Sequence, residues 1–396
     1  MSGQSKGVPN REYAVETEIV LAGRDPQRFD GFVNTPIVRG STVLYPTVAD
    51  LEQHTGRYTY GRRGNPTLEG LEVALTRLEG SAGVVLTPSG LSAISVALLA
   101  ILQTGDHLLM VDTAYQPTRR ICNEVLRRFG IETTYYDPLV GAGISALTRP
   151  NTRAIFMESP GSQSFEMQDV PAIVAVAQAN NITTLLDNTW ATPLLFRPHD
   201  FGVDIAIQAG TKYLSGHSDL NIGTISANDR TWARLKTAHG DMGITVAPED
   251  AFLGARGLRT MAVRLARHQE SAFTVARWLS ERPEVLQVLH PGLPDHPGHA
   301  IWKRDFKGAS GLFSIVLNPA PKAAVDAMLD GLELFGLGFS WGGYESLAIP
   351  FDCSTYRSAT PWEPGGPTVR LQIGLEDVGD LIADLERGLD RLRAAS

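Results

Sequence analysis

The sequence predicts an α/β protein, with a mostly parallel sheet carrying helices on both faces and a smaller α+β domain at its C-terminal end. Between about residue 66 and residue 227, short and uniformly apolar runs alternate with helical runs. Strands of a parallel sheet covered on both faces are apolar along their whole length, whereas half-exposed strands alternate. From residue 256 onward, a long helical run and a few strand-like segments indicate the second domain.

The first layer contains six strand-like runs and three helical runs. The strands are expected at 84–87, 107–112, 153–158, 183–187, 203–209 and 223–227, and the helices at 90–102, 117–129 and 170–179. Parallel strands place their carboxyl ends at one edge of the sheet, where such folds bind their ligands. Functional side chains are therefore expected directly after the apolar runs.

The C-terminal part reads as helices around a small sheet. One long helix is expected at 256–281, shorter helices at 322–332 and 378–395, and strands at 312–317 and 369–373. His296 and His299 lie in a proline-rich loop without cysteine or helical spacing, so they are expected at the surface, and no metal site is predicted.

The first 60 residues lack sustained periodicity and contain many glycines, prolines and aspartates. They predict an extended arm with a short helix near residues 11–22. Such an arm packs on a neighbouring subunit or is a loosely ordered leader. The expected domains are the arm at 1–62, a large domain at 63–255 and a C-terminal domain at 256–396.

Composition excludes several classes of function. The 396 residues carry a formal charge of −8, with a pI near 5.6, which argues against a nucleic-acid partner. The first ten residues contain no apolar signal segment, and the longest apolar stretch, 94–102, is too short to cross a bilayer. Two cysteines cannot form a disulfide framework, so a reducing, cytoplasmic location is expected, without membrane attachment.

Two charged residues follow buried strands. Lys212 comes after the strand at 203–209, and Asp187 ends the strand at 183–187. A desolvated lysine has the lowered pKa that a Schiff base needs, and a carboxylate can keep a pyridine nitrogen protonated. The pair suits pyridoxal phosphate (PLP). Taken singly, Lys212 could instead be a surface lysine and Asp187 a turn or capping residue.

Further candidates lie at neighbouring turns. Ser89 and Gly90 begin a helix after a strand, where free N–H groups bind phosphate, and Thr211 adds a hydroxyl. Tyr115 follows another strand and could stack on a ring or pack in the core. Arg370 lies within an apolar strand and needs an acidic partner, either internal or the carboxylate of a substrate.

In this order, the residues resemble the Cys/Met-metabolism family of PLP enzymes, particularly its cystathionine β-lyase branch, from about residue 18 to residue 392. The most specific strings are YGRRGNPT (60–67), ESPGS (158–162), DNTW (187–190), TKYLSGHSD (211–219) and SWGGYES (340–346). The resemblance implies a fold-type-I, aminotransferase-like architecture and a homotetramer built from catalytic dimers.

The resemblance also implies roles at the cofactor. Lys212 would bind PLP covalently, Asp187 would pair with its pyridine nitrogen and Tyr115 would stack on its ring. The phosphate would be bound by Gly90, Leu91 and Thr211. Two positions depart from the wider family: Leu91 stands where many relatives have methionine, and Ala209 where many γ-acting relatives have a phosphate-binding serine.

Other implied roles concern the substrate and the subunits. Arg370 would clamp the substrate carboxylate, with Ser340 and Trp341 beside it. Tyr60 and Arg62, from an aromatic and basic turn, would reach into the neighbouring subunit's site. The implied catalytic residues are Lys212, Tyr115 and Tyr60.

The expected reaction is β-elimination at a C–S bond of a small sulfur amino acid, foremost L-cystathionine, giving homocysteine, pyruvate and ammonia. The bulky Trp341 favours β- over γ-elimination, because γ-acting relatives tend to carry a smaller residue there. Cysteine-S-conjugate β-lyase activity and γ-lyase or γ-synthase activity remain alternatives. A binding protein that has kept the fold without catalysis is a further one.

Overall fold

The computed structural model describes residues 13–396 and contains two sheets. The large sheet has seven strands: β1 (Gly83–Thr87), β2 (His107–Val111), β3 (Glu132–Tyr136), β4 (Thr152–Glu158), β5 (Thr183–Asp187), β6 (Ile205–Ala209) and β7 (Gly223–Ala227). The small sheet has four: β8 (Val285–Leu289), β9 (Leu312–Leu317), β10 (Leu347–Phe351) and β11 (Thr368–Gln372).

The large sheet has the strand order β1-β7-β6-β5-β4-β2-β3. Strands β2 to β6 are parallel, and β7 runs antiparallel to both of its neighbours. Glu158, Asp187 and Ala209 are therefore the last residues of three adjacent parallel strands, at one edge of the sheet. Every residue of β1, β2 and β7 is buried, which explains why their side chains, apart from His107, are apolar or small.

Helices cover both faces of this sheet. The α-helices up to the second sheet are α1 (Val15–Leu21), α2 (Val48–Gln53), α3 (Pro66–Glu79), α4 (Gly90–Ile101), α5 (Gln116–Arg120), α6 (Val170–Ala179), α7 (Thr192–Leu195), α8 (Asp229–Asp241), α9 (Pro248–Leu258) and α10 (Met261–Ser280). Successive residues of β1 belong to different apolar clusters: Val85 packs with α4, and Val84 and Leu86 pack with α3. The alternation of side chains along a strand thus serves two cores.

The small sheet is antiparallel throughout, in the order β10-β11-β9-β8. The last helices are α11 (His299–Asp305), α12 (Lys322–Asp330) and α13 (Val378–Ala395). Apolar residues of α10, α12 and α13 form one buried cluster with this sheet. Among residues 13–396, no helix is both long and apolar enough to cross a membrane.

The predicted fold class is confirmed, as are most of the predicted elements. The strands at 183–187 and 223–227 and the helices at 170–179 and 378–395 have the expected bounds. The helix expected near 11–22 spans Val15–Leu21. The expected absence of a signal segment concerns residues 1–10, which lie outside the described residues.

Two expectations about individual elements are wrong, and one predicted helix is present with different turns. The long helix at 256–281 is two helices, because Arg264 donates to the carbonyl of Gly257 (2.8 Å) and closes the end of α9. The helix at 117–129 continues beyond α5 as π-helical turns over Ile121–Leu126. His296 is buried rather than exposed, and its Nδ1 accepts the N–H of Gly298 within the loop, which gives the buried ring a polar partner.

Candidate active site

A pocket of about 300 Å³ lies at the carboxyl edge of the large sheet. Strand ends and the loop before β10 form its wall. The lining residues are Ser89, Gly90, Leu91, Ile94, Tyr115, Glu158, Pro160, Gly161, Ser162, Gln163, Phe165, Asp187, Thr189, Trp190, Ala209, Thr211, Lys212, Asn221, Leu312, Phe339, Trp341 and Arg370. Most of the residues predicted from the sequence thus meet in one cavity.

Lys212 lies in the turn after β6, with its amine inside the pocket. Its Nζ donates a hydrogen bond to Oγ of Ser340 (2.9 Å) and lies 5.1 Å from the ring centroid of Trp341. Burial, reinforced by the positive charge of Arg370, lowers the pKa of Lys212 to about 8, although Asp187 acts in the opposite direction. The lowered pKa gives this amine a larger uncharged fraction at neutral pH than an exposed lysine has.

Asp187 ends β5, and its Oδ1 accepts two hydrogen bonds from Thr189. The donors are the backbone N–H (3.0 Å) and the hydroxyl (2.5 Å). Burial raises the pKa of Asp187, while these two bonds and Lys212 act to lower it. The hydroxyl of Thr189 also accepts the N–H of Ala209 (2.9 Å), so it ties the ends of β5 and β6 together.

An anion site is formed where α4 begins. Ser89 caps this helix by accepting the N–H of Ser92 (3.1 Å). The N–H groups of Gly90 and Leu91 have no hydrogen-bond acceptor within residues 13–396. A Cβ on Gly90 would lie 2.5 Å from that of Ala209, so glycine is required for this close approach. The free N–H groups suit a phosphate.

Thr211 also lines the pocket, but its hydroxyl is already in use. It accepts the N–H of Ile222 (3.1 Å) and donates to the carbonyl of the same residue (3.3 Å). Any contact with a phosphate must therefore replace or share these bonds.

Tyr115 stands at the start of α5, half-exposed to the pocket. Its backbone N–H donates to Oε2 of Glu158 (2.8 Å). Burial and the neighbouring Glu158 raise the pKa of the phenol, which therefore stays protonated near pH 7 and can act as a donor.

Arg370 occupies the middle of β11, and its guanidinium reaches the pocket from the small sheet. Its Nη2 donates to the carbonyls of Phe339 (3.0 Å) and Ser340 (3.1 Å). Burial lowers the pKa of Arg370 to about 10, so it remains charged at neutral pH. Within residues 13–396 it has no acidic partner, which leaves the charge available for the carboxylate of a ligand.

Tyr60 and Arg62 lie away from this pocket. Tyr60 is exposed, and Nη1 of Arg62 donates to the carbonyl of Gly240 (2.8 Å). Neither contributes to the described pocket of its own chain. Their expected place in the site of a neighbouring subunit stays a prediction.

Among the pocket residues that received no role from the sequence, Glu158 and Thr189 make hydrogen bonds to other parts of the site. Glu158 ends β4 as Asp187 ends β5, so the same signal, a carboxylate at the end of a buried strand, could have identified it. Thr189 could not be found in this way, because its importance lies in hydrogen bonds that appear only in the folded chain.

Fold and pocket together place a buried lysine of lowered pKa at the carboxyl edge of a parallel sheet. The sequence profile of the family described as Cys/Met metabolism PLP-dependent enzyme matches residues 16–390. The protein belongs to this family, and PLP is its cofactor. The resemblance inferred from the sequence is thereby confirmed.

Relatives with different names share the chain's full length. The cystathionine β-lyase of Salmonella typhimurium is 44% identical over 96% of this chain and 98% of its own. An L-alanine/L-glutamate racemase of Wolbachia pipientis is 42% identical over 95% and 97%. The crystal structure of cystathionine γ-synthase from Xanthomonas oryzae pv. oryzae, in complex with aminoacrylate and cysteine, has a TM-score of 0.90 and 35% identity, covering 98% of this chain and 100% of that one.

The residues present fit the cofactor. A buried amine of lowered pKa, a carboxylate held by two donors and a helix start with two free N–H groups line the same cavity. These are the groups that the aldehyde, the pyridine nitrogen and the phosphate of PLP require.

Proposed function

We propose that this protein catalyses β-elimination at a carbon–sulfur bond, with L-cystathionine as its substrate and homocysteine, pyruvate and ammonia as its products. The observation that carries this proposal is that one pocket contains both the Lys212 amine, whose pKa is lowered to about 8, and the guanidinium of Arg370, which has no acidic partner in the described chain. The higher identity to a cystathionine β-lyase than to a γ-synthase supports it.

The proposed roles begin with binding. Lys212 would hold the aldehyde carbon of PLP, Asp187 would hold the proton on the pyridine nitrogen, and Tyr115 would cover the ring. The phosphate would be bound by the N–H groups of Gly90 and Leu91 and by Thr211. When bound, PLP withdraws electrons from Cα of the substrate, which makes the Cα proton acidic.

Proton transfers follow from the same residues. Arg370 binds the α-carboxylate through two N–H groups and thereby fixes which Cα substituent faces the lysine. The amino group of the substrate displaces Lys212 from its covalent bond, and the freed, uncharged Nζ of Lys212 then takes the Cα proton. The bond between Cβ and sulfur breaks, and Lys212 or Tyr115 gives a proton to the departing sulfur. Aminoacrylate is released and reacts with water to give pyruvate and ammonia.

Trp341 supports β- rather than γ-chemistry. γ-Elimination needs a second proton removal, at Cβ, by a base with room to move. The indole of Trp341 lies 5.1 Å from Nζ of Lys212 and restricts that space. A cysteine-S-conjugate would undergo the same bond cleavage, since its sulfur substituent lies beyond the reacting atoms.

Product analysis of the PLP-loaded protein with L-cystathionine tests the proposal. Pyruvate with homocysteine would support β-elimination, whereas 2-oxobutyrate with cysteine would establish a γ-lyase and overturn the argument from Trp341. L-Alanine should be tested in parallel, because one relative is named a racemase. Racemisation without cystathionine cleavage would overturn the proposed reaction while leaving the cofactor assignment intact.

We propose further that the protein is a cytoplasmic homotetramer whose sites are shared between subunits. The arm exposes Phe32, Leu44 and Val48, which are 72%, 88% and 70% accessible in the single chain, and a second copy would bury them. Free thiols at both buried cysteines suit a reducing compartment.

Mixed subunits test this arrangement. A mixture of Arg62→Ala and Lys212→Ala proteins should regain activity through hybrid sites that lack both substitutions. Absence of recovery after verified subunit exchange would show that the sites are not shared.

The proposed boundaries, 1–62, 63–255 and 256–396, place the arm, the large sheet and the small sheet in separate units.

A further inference from the structure

We propose that Glu158 is a positioning residue of the active site: as a neutral carboxylic acid it holds the backbone of Tyr115 at the pocket and leaves Asp187 as the single carboxylate charge beside it. This inference rests on the roles proposed above for Tyr115 and Asp187 in binding PLP. It assigns a different role to each of the two acidic residues in the pocket, Glu158 and Asp187.

The pairing of β4 with β5 places the two acidic residues side by side. Glu158 and Asp187 are paired residues of the adjacent parallel strands β4 and β5, and both line the pocket. Adjacent strands lie about 4.8 Å apart. The charge of Asp187 disfavours the ionised form of Glu158, so in this enclosed site the two acids do not both ionise readily and one of them retains a proton.

Hydrogen bonding decides which acid keeps the proton. Asp187 accepts two bonds from Thr189 and faces the amine of Lys212. Glu158 accepts a single N–H, from Tyr115, and has no cationic partner within ion-pair distance in the described chain. Burial raises the pKa of Glu158 well above its usual value, and Asp187 raises it further. The phenols of Tyr115 and Tyr356 are the other titratable groups that interact with it.

Glu158 also fixes the turn between β2 and α5. The first N–H groups of a helix have no acceptor within the helix, so they need one from elsewhere. At Tyr115 this acceptor is Oε2 of Glu158, 2.8 Å away. A neutral acid can accept this bond through its carbonyl oxygen without placing a second charge next to Asp187.

The test compares Glu158→Gln with Glu158→Ala in the full-length protein. Alanine removes the acceptor, so we expect PLP to bind about tenfold more weakly and kcat to fall about tenfold. Its visible circular dichroism should also weaken, because the ring is less firmly held. Glutamine keeps an acceptor and no charge, so it should recover most of each loss and leave the pH dependence of the PLP absorbance in place.

A matched control is Glu79→Gln. Glu79 is another buried acid with a raised pKa, and it accepts a hydrogen bond from Gln208 outside the pocket. This variant should bind PLP as the unmodified protein does. A tenfold loss there would mean that any buried acid has this effect, and would overturn the specific role of Glu158.

Two other outcomes contradict the inference. Damage by glutamine equal to that by alanine would show that Glu158 acts as an anion, and unchanged PLP binding in both variants would show that it positions nothing. If the alanine variant does not fold, infrared difference spectra of Glu158→Gln against the unmodified protein test whether Glu158 is protonated. The band of a protonated carboxyl group must be absent from the Glu158→Gln protein. PLP binding and spectra need no substrate, so failure of the proposed lyase reaction would be seen separately.

Discussion

The Asp112 cluster and the pocket are two groups of buried charged residues that differ in whether their charges are paired within the protein. The Asp112 cluster, formed by Asp112, Arg119, Glu166 and Arg357, is fully paired. The carboxylate of Asp112 accepts from Arg119 (2.8 Å) and Arg357 (2.9 Å), and Arg357 also binds Glu166 (2.8 Å). Three backbone N–H groups of residues 358–360 bind the same carboxylate and hold this loop against the end of β2.

The pocket, in contrast, leaves its charges without ionic partners. Within the described chain, Arg370 binds only backbone carbonyls, and Lys212 donates to a serine. Burying an unpaired charge is unfavourable unless a ligand later provides the partner. Paired buried charges in this protein therefore hold two parts of the chain together, whereas unpaired buried charges lie at the ligand site.

The largest expected effect is the loss of turnover in Lys212→Ala. Without the amine, PLP has no covalent attachment and the Cα proton has no base, so kcat should fall about a thousandfold or more. The visible absorbance band of attached PLP should also disappear. Lys322→Ala, at an exposed ion pair, is the control and should keep both properties. Normal turnover in Lys212→Ala would refute the assigned role.

Substitution of Asp112 should instead lower the stability of the folded protein. Asp112→Ala leaves the guanidinium of Arg119 without an acidic partner and releases the loop at 358–360, so unfolding should become easier by about 3–5 kcal/mol. Asp326→Ala, in an exposed pair with Lys322, should change stability by less than about 1 kcal/mol. Thermal unfolding measures both. Equal losses of stability in the two variants would show that the paired charges of the Asp112 cluster contribute no more than an exposed ion pair.

Substitution of Arg370 should have the opposite effect, with activity reduced and stability retained. Arg370→Met removes an unpaired buried charge, so stability should be retained or raised, while kcat/KM falls about a hundredfold through the lost carboxylate contact. Arg153→Met, a half-exposed arginine outside the pocket, is the control. Destabilisation of Arg370→Met as large as that of Asp112→Ala would mean that Arg370 is structural.

The smallest effect concerns pH. The PLP-free protein should capture PLP faster as pH rises, about tenfold per unit below pH 8, and level off above it, because only the uncharged amine of Lys212 attacks an aldehyde. Removing the positive charge in Arg370→Met should move this inflection upward. Stopped-flow absorbance measures the rate, and a flat profile between pH 6 and pH 8 would contradict the lowered pKa.

Local sequence was sufficient for the elements that govern the large sheet. Its apolar runs and the helix that begins after Ser89 were visible because burial on both faces and helix capping leave local patterns. The strand at Glu132–Tyr136 was missed, since its mixed side chains are only partly buried and sit on an edge strand. The break between α9 and α10 was missed because Arg264 stops the helix through a contact that the local pattern does not contain.

The fold class, the family and the chemical groups at the strand ends follow from the order of residue types along the chain. Which of those groups are free depends on how the folded segments meet. The tertiary structure paired Asp112 within the protein and left Arg370 open, and it set Glu158 beside Asp187 with unequal hydrogen bonding. Charge state and availability depend on distances between segments remote in sequence, which no local pattern records.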